Sequence, residues 1–162
     1  MKLITSTFAI LVSLSVSPAF AGATINVKLW DKGDINPDAK LGMGMHADLG
    51  HAMMGIDIDK TAVTAGPVTF QVRNSSKETV HEMIVVPVEG ADATLPYVDK
   101  ESRIDEDSAG HLGEVSELDP GKSGSLTLDL KPGSYAVLCN VPGHFMNGMW
   151  KTFLVEAAPV TN

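Results

Sequence analysis

Apolar residues along this chain fall mostly at every second position, the period of a strand with one buried face. Ile25, Val27 and Leu29 alternate with other neighbours between Thr24 and Trp30. The period lapses over 31–55 and returns at Ile56 and Ile58. It recurs at Val68, Phe70 and Val72 after the turn Ala65-Gly66-Pro67. Val80 to Val88 is a nearly continuous apolar run broken by His81 and Glu82, as expected of a strand buried between two layers. Residues 89–113 form an excursion rich in Asp, Glu and Gly, with room for one short helix. Strand signals resume at Val115, and the turn Asp119-Pro120-Gly121-Lys122 leads into Leu126, Leu128 and Leu130. Pro132-Gly133 then reverses the chain into Tyr135, Val137 and Cys139, and Thr152 to Glu156 makes a closing strand. Together these predict an all-β protein, an antiparallel Greek-key β-sandwich of about seven to eight strands.

The first residues follow a different rule. Lys2 precedes an apolar and hydroxylic run from Leu3 to Val16, and Ser17-Pro18-Ala19-Phe20-Ala21 ends in the small-residue pattern of a signal-peptidase site. This predicts a signal peptide over 1–21, a periplasmic location, and a single domain over 22–162 with a Met/His-rich insertion at 42–55. No later stretch is apolar enough to span a bilayer, so no membrane span is expected after cleavage. The whole chain carries 12 Lys and Arg against 20 Asp and Glu, a net charge of −8. Such an acidic balance argues against nucleic acid as a partner.

An exported chain with one cysteine cannot close an internal disulfide, so Cys139 is inert, reactive, paired between chains, or committed to a metal. Its neighbours favour the metal. The loop Cys139-Asn-Val-Pro-Gly-His144-Phe-Met-Asn-Gly-Met149 holds a thiol, an imidazole and a thioether. A trigonal set of two His and one Cys with a long axial Met is the blue-copper arrangement. The second imidazole falls to His81, which interrupts an apolar strand where an unpaired ring would be costly to bury. Met146 is a competing axial sulfur, though it stands only two positions from His144. A structural zinc site, which favours Cys and His over Met, is the weaker alternative.

These residues resemble the cupredoxins, the family of plastocyanin, azurin and rusticyanin. The C-x4-H-x4-M spacing with its internal Pro-Gly-His is most similar to the rusticyanin-like pattern, and the resemblance runs from the first strand to Val155. It implies one type 1 copper held by His81, Cys139, His144 and Met149. One departure stands out. Many relatives follow the strand histidine with Asn or Ser, where this chain has Glu82, and an acid there is expected to alter the potential and the hydrogen bonds around the site.

A second concentration of soft donors lies in the insertion. Met43, Met45, His46, His51, Met53 and Met54 make up half of the methionines and two of the five histidines. Methionine often only fills gaps in a core, but flanking glycines argue against a well-packed element, which leaves an additional Cu(I) site open. His111 is expected to be exposed, and the nearby acids Asp99, Glu101, Asp105, Glu106 and Asp107 to form a solvated face.

Two roles follow. The first is a one-electron carrier cycling between Cu(I) and Cu(II), docking with redox partner proteins through apolar loops around His144. The second is copper handling or resistance, with copper-handling proteins as partners and the Met/His segment as a buffer. An enzyme is not expected, because a full His₂CysMet set leaves no open position for substrate and no second copper centre is in view. A monomer is expected.

Overall fold

The structure, a computed structural model, describes residues 22–46, 48–90 and 92–159. The signal peptide expected over 1–21 lies outside them. Two sheets face one another. The first has the order β2-β1-β4-β9, from β1 (Ala23–Asp31), β2 (Met54–Ile58), β4 (Gly66–Asn74) and β9 (Ser123–Leu130). The second has the order β3-β11-β10-β5-β8, from β3 (Ala62–Thr64), β5 (His81–Val88), β8 (Gly113–Leu118), β10 (Gly133–Leu138) and β11 (Trp150–Glu156). A small hairpin of β6 (Tyr97–Val98) and β7 (Arg103–Ile104) and a one-turn helix α1 (Glu106–Ala109) occupy the acidic excursion.

The sandwich is therefore as expected, with two corrections. Eleven strands are present among the described residues rather than seven or eight, because β3, β6 and β7 are only two or three residues long. The sheets are also mixed: β1 runs parallel to β4 and β3 parallel to β11. Alternation reports which face a strand buries and carries no information about the direction of its neighbour.

Strand alternation divides the apolar residues between two cores. Ile25, Val27 and Leu29 of β1, Val68, Phe70 and Val72 of β4, and Met83 and Val85 of β5 meet between the sheets. There the Phe70 and Phe153 rings pack edge to face at 5.6 Å. The intervening residues of β5, Ile84 and Val86, point the other way and pack under Ile104, Ala109 and Phe145. Hence β5 is apolar on both faces, and the excursion is the cover that its outer face needs. Among the described residues no helix is long and apolar enough to cross a membrane.

One buried polar residue fixes the approach to His81. Asn74, fully buried at the end of β4, donates from Nδ2 to the carbonyls of Thr79 and Leu118 at 2.8 Å each, and its Oδ1 accepts from the Ser76 N–H at 3.0 Å. It thereby folds the 75–80 turn against β8. Removing such an amide strands several backbone groups, each costing about 1–3 kcal/mol when buried. Asn74→Ala is expected to lower the unfolding free energy by roughly 2–4 kcal/mol, read as a lower urea midpoint at unchanged slope.

Candidate metal centre

Three side chains converge at one end of the sandwich. His81 opens β5, Cys139 directly follows β10, and His144 lies in the loop between β10 and β11. The two Nδ1 atoms are 3.2 Å apart, and the Cys139 Sγ lies 3.3 Å from His144 Nδ1 and 4.0 Å from His81 Nδ1. All three residues are buried. The fourth expected donor, Met149, is also fully buried and packs in the same core as Cys139. Its backbone is tied to the other two loop residues: Cys139 N donates to Met149 O at 3.0 Å, and Met149 N donates to His144 O at 3.2 Å.

The loop takes this shape for local reasons. Gly143, at a positive φ of 85°, makes the bend after Pro142 that a side chain would strain. A 3-10 turn at Phe145–Asn147 ends on Gly148, also left-handed. Residues 36–41 are stapled to it from outside. Asn147 exchanges hydrogen bonds with the Asn36 backbone at 2.9 and 3.0 Å, and Trp150 Nε1 donates to Leu41 O at 2.7 Å. On the opposite side Asn140 accepts from Ile104 N at 2.7 Å and donates to Ile104 O at 3.0 Å.

His81 is held from behind. Its Nε2 lies 2.9 Å from Ser76 Oγ and 3.3 Å from the Asp31 carboxylate, so the ring turns Nδ1 toward the other donors. Asp31, Ser76, Asn140 and Asn147 are the site residues that sequence reasoning missed. Asp31 opens the stretch 31–55 where the alternation lapses, and its contact with His81 spans 50 positions of chain.

The electrostatics suit a bound cation. Burial, reinforced by His81, lowers the His144 pKa to about 4. Burial lowers that of His81 too, against the opposing pull of Asp31. Both rings are thus neutral and present lone pairs at pH 7. Burial also pushes the Cys139 thiol up to about 12, although the Glu82 and Val141 N–H groups favour the thiolate. A dry pocket that opposes a thiolate becomes favourable to one when a cation sits among the donors. Asp31 behaves differently: burial raises its carboxyl, but hydrogen bonds with Ser76, His81 and Thr79 outweigh this and hold it below the ordinary range.

Glu82 is buried, with only 5% of its surface exposed, and burial together with Glu117 and Glu106 raises its pKa to about 7. Its N–H points at the Cys139 sulfur, 3.5 Å away, while its Oε1 makes no hydrogen bond among the described residues.

The Met/His segment is split rather than gathered. Met43 is buried in the outer core and Met54 in the inner one, whereas Met45, His46, His51 and Met53 are exposed. His111, expected at the surface, is instead mostly covered, with 24% of its side chain exposed and Nε2 sealed from solvent. The excursion lies back on β5 and β8 to cover their outer face, and takes His111 with it.

No protein-family model matches the chain, and no curated protein matches it. Solved structures do. Rusticyanin from Thiobacillus ferrooxidans is 14% identical, with a TM-score of 0.56 over 83% of this chain and 77% of that one. Auracyanin B is 23% identical, with a TM-score of 0.52 over 89% of this chain and 94% of that one. A further structure, of the copper protein rusticyanin, is 15% identical with a TM-score of 0.55 over 83% of this chain and 78% of that one. The fold is therefore that of the cupredoxins.

The Glu82 shift has a measurable consequence in the metal-free protein. A carboxyl with a folded pKa of about 7 against an ordinary 4.5 binds its proton more tightly when folded. The stability it contributes is complete below pH 4.5 and is lost as pH rises through 7. The neutral histidines act oppositely, losing stability as pH falls below their ordinary 6.5. Glu82→Gln isolates the acid. It should flatten the loss between pH 4.5 and 7 by on the order of 1–3 kcal/mol, measured by urea unfolding across that range.

Proposed function

We propose that this chain is a periplasmic one-electron carrier holding one type 1 copper ion between His81, Cys139 and His144, with Met149 as the weak fourth donor. The buried triangle of two imidazole nitrogens and one thiol carries this reading, because it joins soft and borderline donors in a cupredoxin fold. Copper, when bound, supplies a one-electron couple between Cu(I) and Cu(II). The chain's own residues do the rest. Ser76 and Asp31 orient the His81 ring, the Glu82 N–H faces the Cys139 sulfur, and Asn140 and Asn147 pin both sides of the loop. Donors fixed between strands move little when charge changes, which favours fast transfer. Four protein donors leave no position for substrate, so the chain is read as a carrier and not as an enzyme. Export is read from the signal peptide expected over 1–21.

The exposed apolar residues suit docking of a redox partner at the same end. The Ile35 Cδ1 lies 3.3 Å from where a Gly143 Cβ would stand, placing an exposed apolar side chain on the ligand loop. His144 itself lines a groove with Gly33, Ser76 and Val141.

A copper-handling role is favoured by one observation. Gly42 is crowded by two thioethers: a Cβ there would meet Met146 Sδ at 3.0 Å and Met45 Sδ at 3.5 Å. Met45 thus stands beside a ligand-loop methionine, with the exposed His46 next in the chain. Thioethers and an imidazole can hold Cu(I) without a thiolate. Buried Met43 and Met54 are unsuited to that task.

Purified protein with Cu(II) should bind one equivalent and show an intense visible thiolate-to-copper band. Cys139→Ala should abolish the band, since the chain has no other thiol. Met149→Leu should change the reduction potential far more than Met146→Leu while copper stays bound, and the reverse order would give Met146 the fourth position. Titration with Cu(I) tests the second role. A further equivalent that disappears in the Met45→Leu/Met146→Leu double variant, with the coloured site intact, supports copper handling; a single equivalent in the wild type leaves the carrier role alone.

A further inference from the structure

We infer that Glu106, His111 and Glu114, with the buried carboxyl of Glu82 beside them, form a second metal site for a borderline divalent cation of the zinc type. The three donors are drawn from different pieces of chain: Glu106 opens α1, His111 follows it, and Glu114 lies on β8. His111 Nδ1 stands 3.7 Å from Glu106 Oε2, and His111 Nε2 stands 3.8 Å from Glu114 Oε2. Both separations are too long for hydrogen bonds. The two carboxylates face opposite ring nitrogens, and a single ion would take only one of them; with one donor atom taken from each residue, all three lie within 4.8 Å of one another, close enough to surround one ion.

Each carboxylate is already held by its other oxygen. Glu106 Oε1 accepts from Arg103 Nη2 at 3.2 Å and from Asn140 Nδ2 at 2.8 Å, and Glu114 Oε1 accepts from Ser116 Oγ at 2.7 Å. In both cases Oε2 is left toward the imidazole. The His111 Nε2 is sealed from solvent and has no hydrogen-bond partner among the described residues.

An independent observation comes from β5. Glu82 leaves that strand on the side of Ile84 and Val86, the face covered by Ile104 and Ala109, and Ile84 pairs directly with Glu114 across the β5 and β8 ladder. Its carboxyl therefore lies under the excursion, 95% buried, with Oε1 unpartnered. Glu106 and Glu114 face one imidazole while Arg103 pairs with Glu106 alone, and a divalent cation would neutralise the negative charge left over. Imidazole with carboxylates is a donor set that zinc accepts, and it lacks the sulfur that the first centre offers.

The test is a calorimetric titration of the mature chain with Zn²⁺ alone, for the wild type and for Cys139→Ala, His111→Ala and Glu114→Gln. The site requires an equivalent of zinc that survives in Cys139→Ala and weakens at least tenfold in both His111→Ala and Glu114→Gln. Circular dichroism checks that each variant is folded, and Glu114→Gln, a near-isosteric change at a partly exposed position, guards against misfolding of His111→Ala. The His111 ring nitrogen resonances provide a direct readout: in Cys139→Ala they should shift on zinc addition in step with the calorimetric equivalent. Absence of that equivalent, its loss in Cys139→Ala, its retention in His111→Ala, or unmoved His111 resonances would overturn the proposal and leave an ordinary ion-pair cluster.

Discussion

A thiol and two imidazoles buried together are unfavourable as charged groups, and much of this structure is arranged around that constraint. Burial drives the Cys139 pKa to about 12 and the His144 pKa to about 4, so without a partner the pocket holds three neutral donors facing one another. Such a pocket gains little from its own contents. The Nδ1 pair at 3.2 Å can share one proton, but the sulfur then has only weak partners. A soft cation reverses the balance, because it turns the cost of desolvating a thiolate into a strong attraction in the same dry space.

Holding such a pocket open requires a frame that does not collapse onto it. Each donor sits at the end of a strand or in a loop with hydrogen bonds on both sides. Asn147 and Trp150 tie the ligand loop to residues 36–41, Asn140 ties it to Ile104, and Asn74 ties the turn before His81 to Leu118. Asn74, Asn140 and Asn147 are buried, and an amide is suited to this because it can accept and donate toward backbone without adding charge to a low-dielectric region.

Much of this was legible in the sequence where a local rule operated. Val68, Phe70 and Val72 declared a half-buried strand by alternation, and the loop from Cys139 to Met149 declared soft metal chemistry by residue type and spacing. What escaped depended on residues far apart in the chain. The parallel pairing of β1 with β4 joins Ile25 to Phe70, and nothing in either segment encodes the direction of the other. Met43 and Met54 carried the same chemical signal as Met45 and Met53, yet one pair is core and the other surface. Their glycine neighbours suggested looseness, whereas Gly42 is small because Phe145 and two methionine sulfurs occupy the space beside it. The partners of His81 were hidden for the same reason: Asp31 is 50 positions away.

Glu82 shows how a strand can serve two environments with adjacent residues. His81 turns inward to the donor triangle, and the next side chain must turn outward, because successive residues of a strand face opposite sides. Its backbone N–H nevertheless stays at the inner end, 3.5 Å from the Cys139 sulfur, where a small partial positive charge favours a thiolate. An Asn or Ser at this position would offer the same N–H with a neutral side chain. A carboxyl adds a group that burial and three neighbouring acids resist ionising, and the register between His81 and Met83 is irregular where β5 passes it. A buried acid placed there at a cost in stability, with Glu106 and Glu114 on the same covered face, is hard to account for by packing alone. It is accounted for if the outer face of β5 holds a charge of its own opposite the one proposed on the inner side.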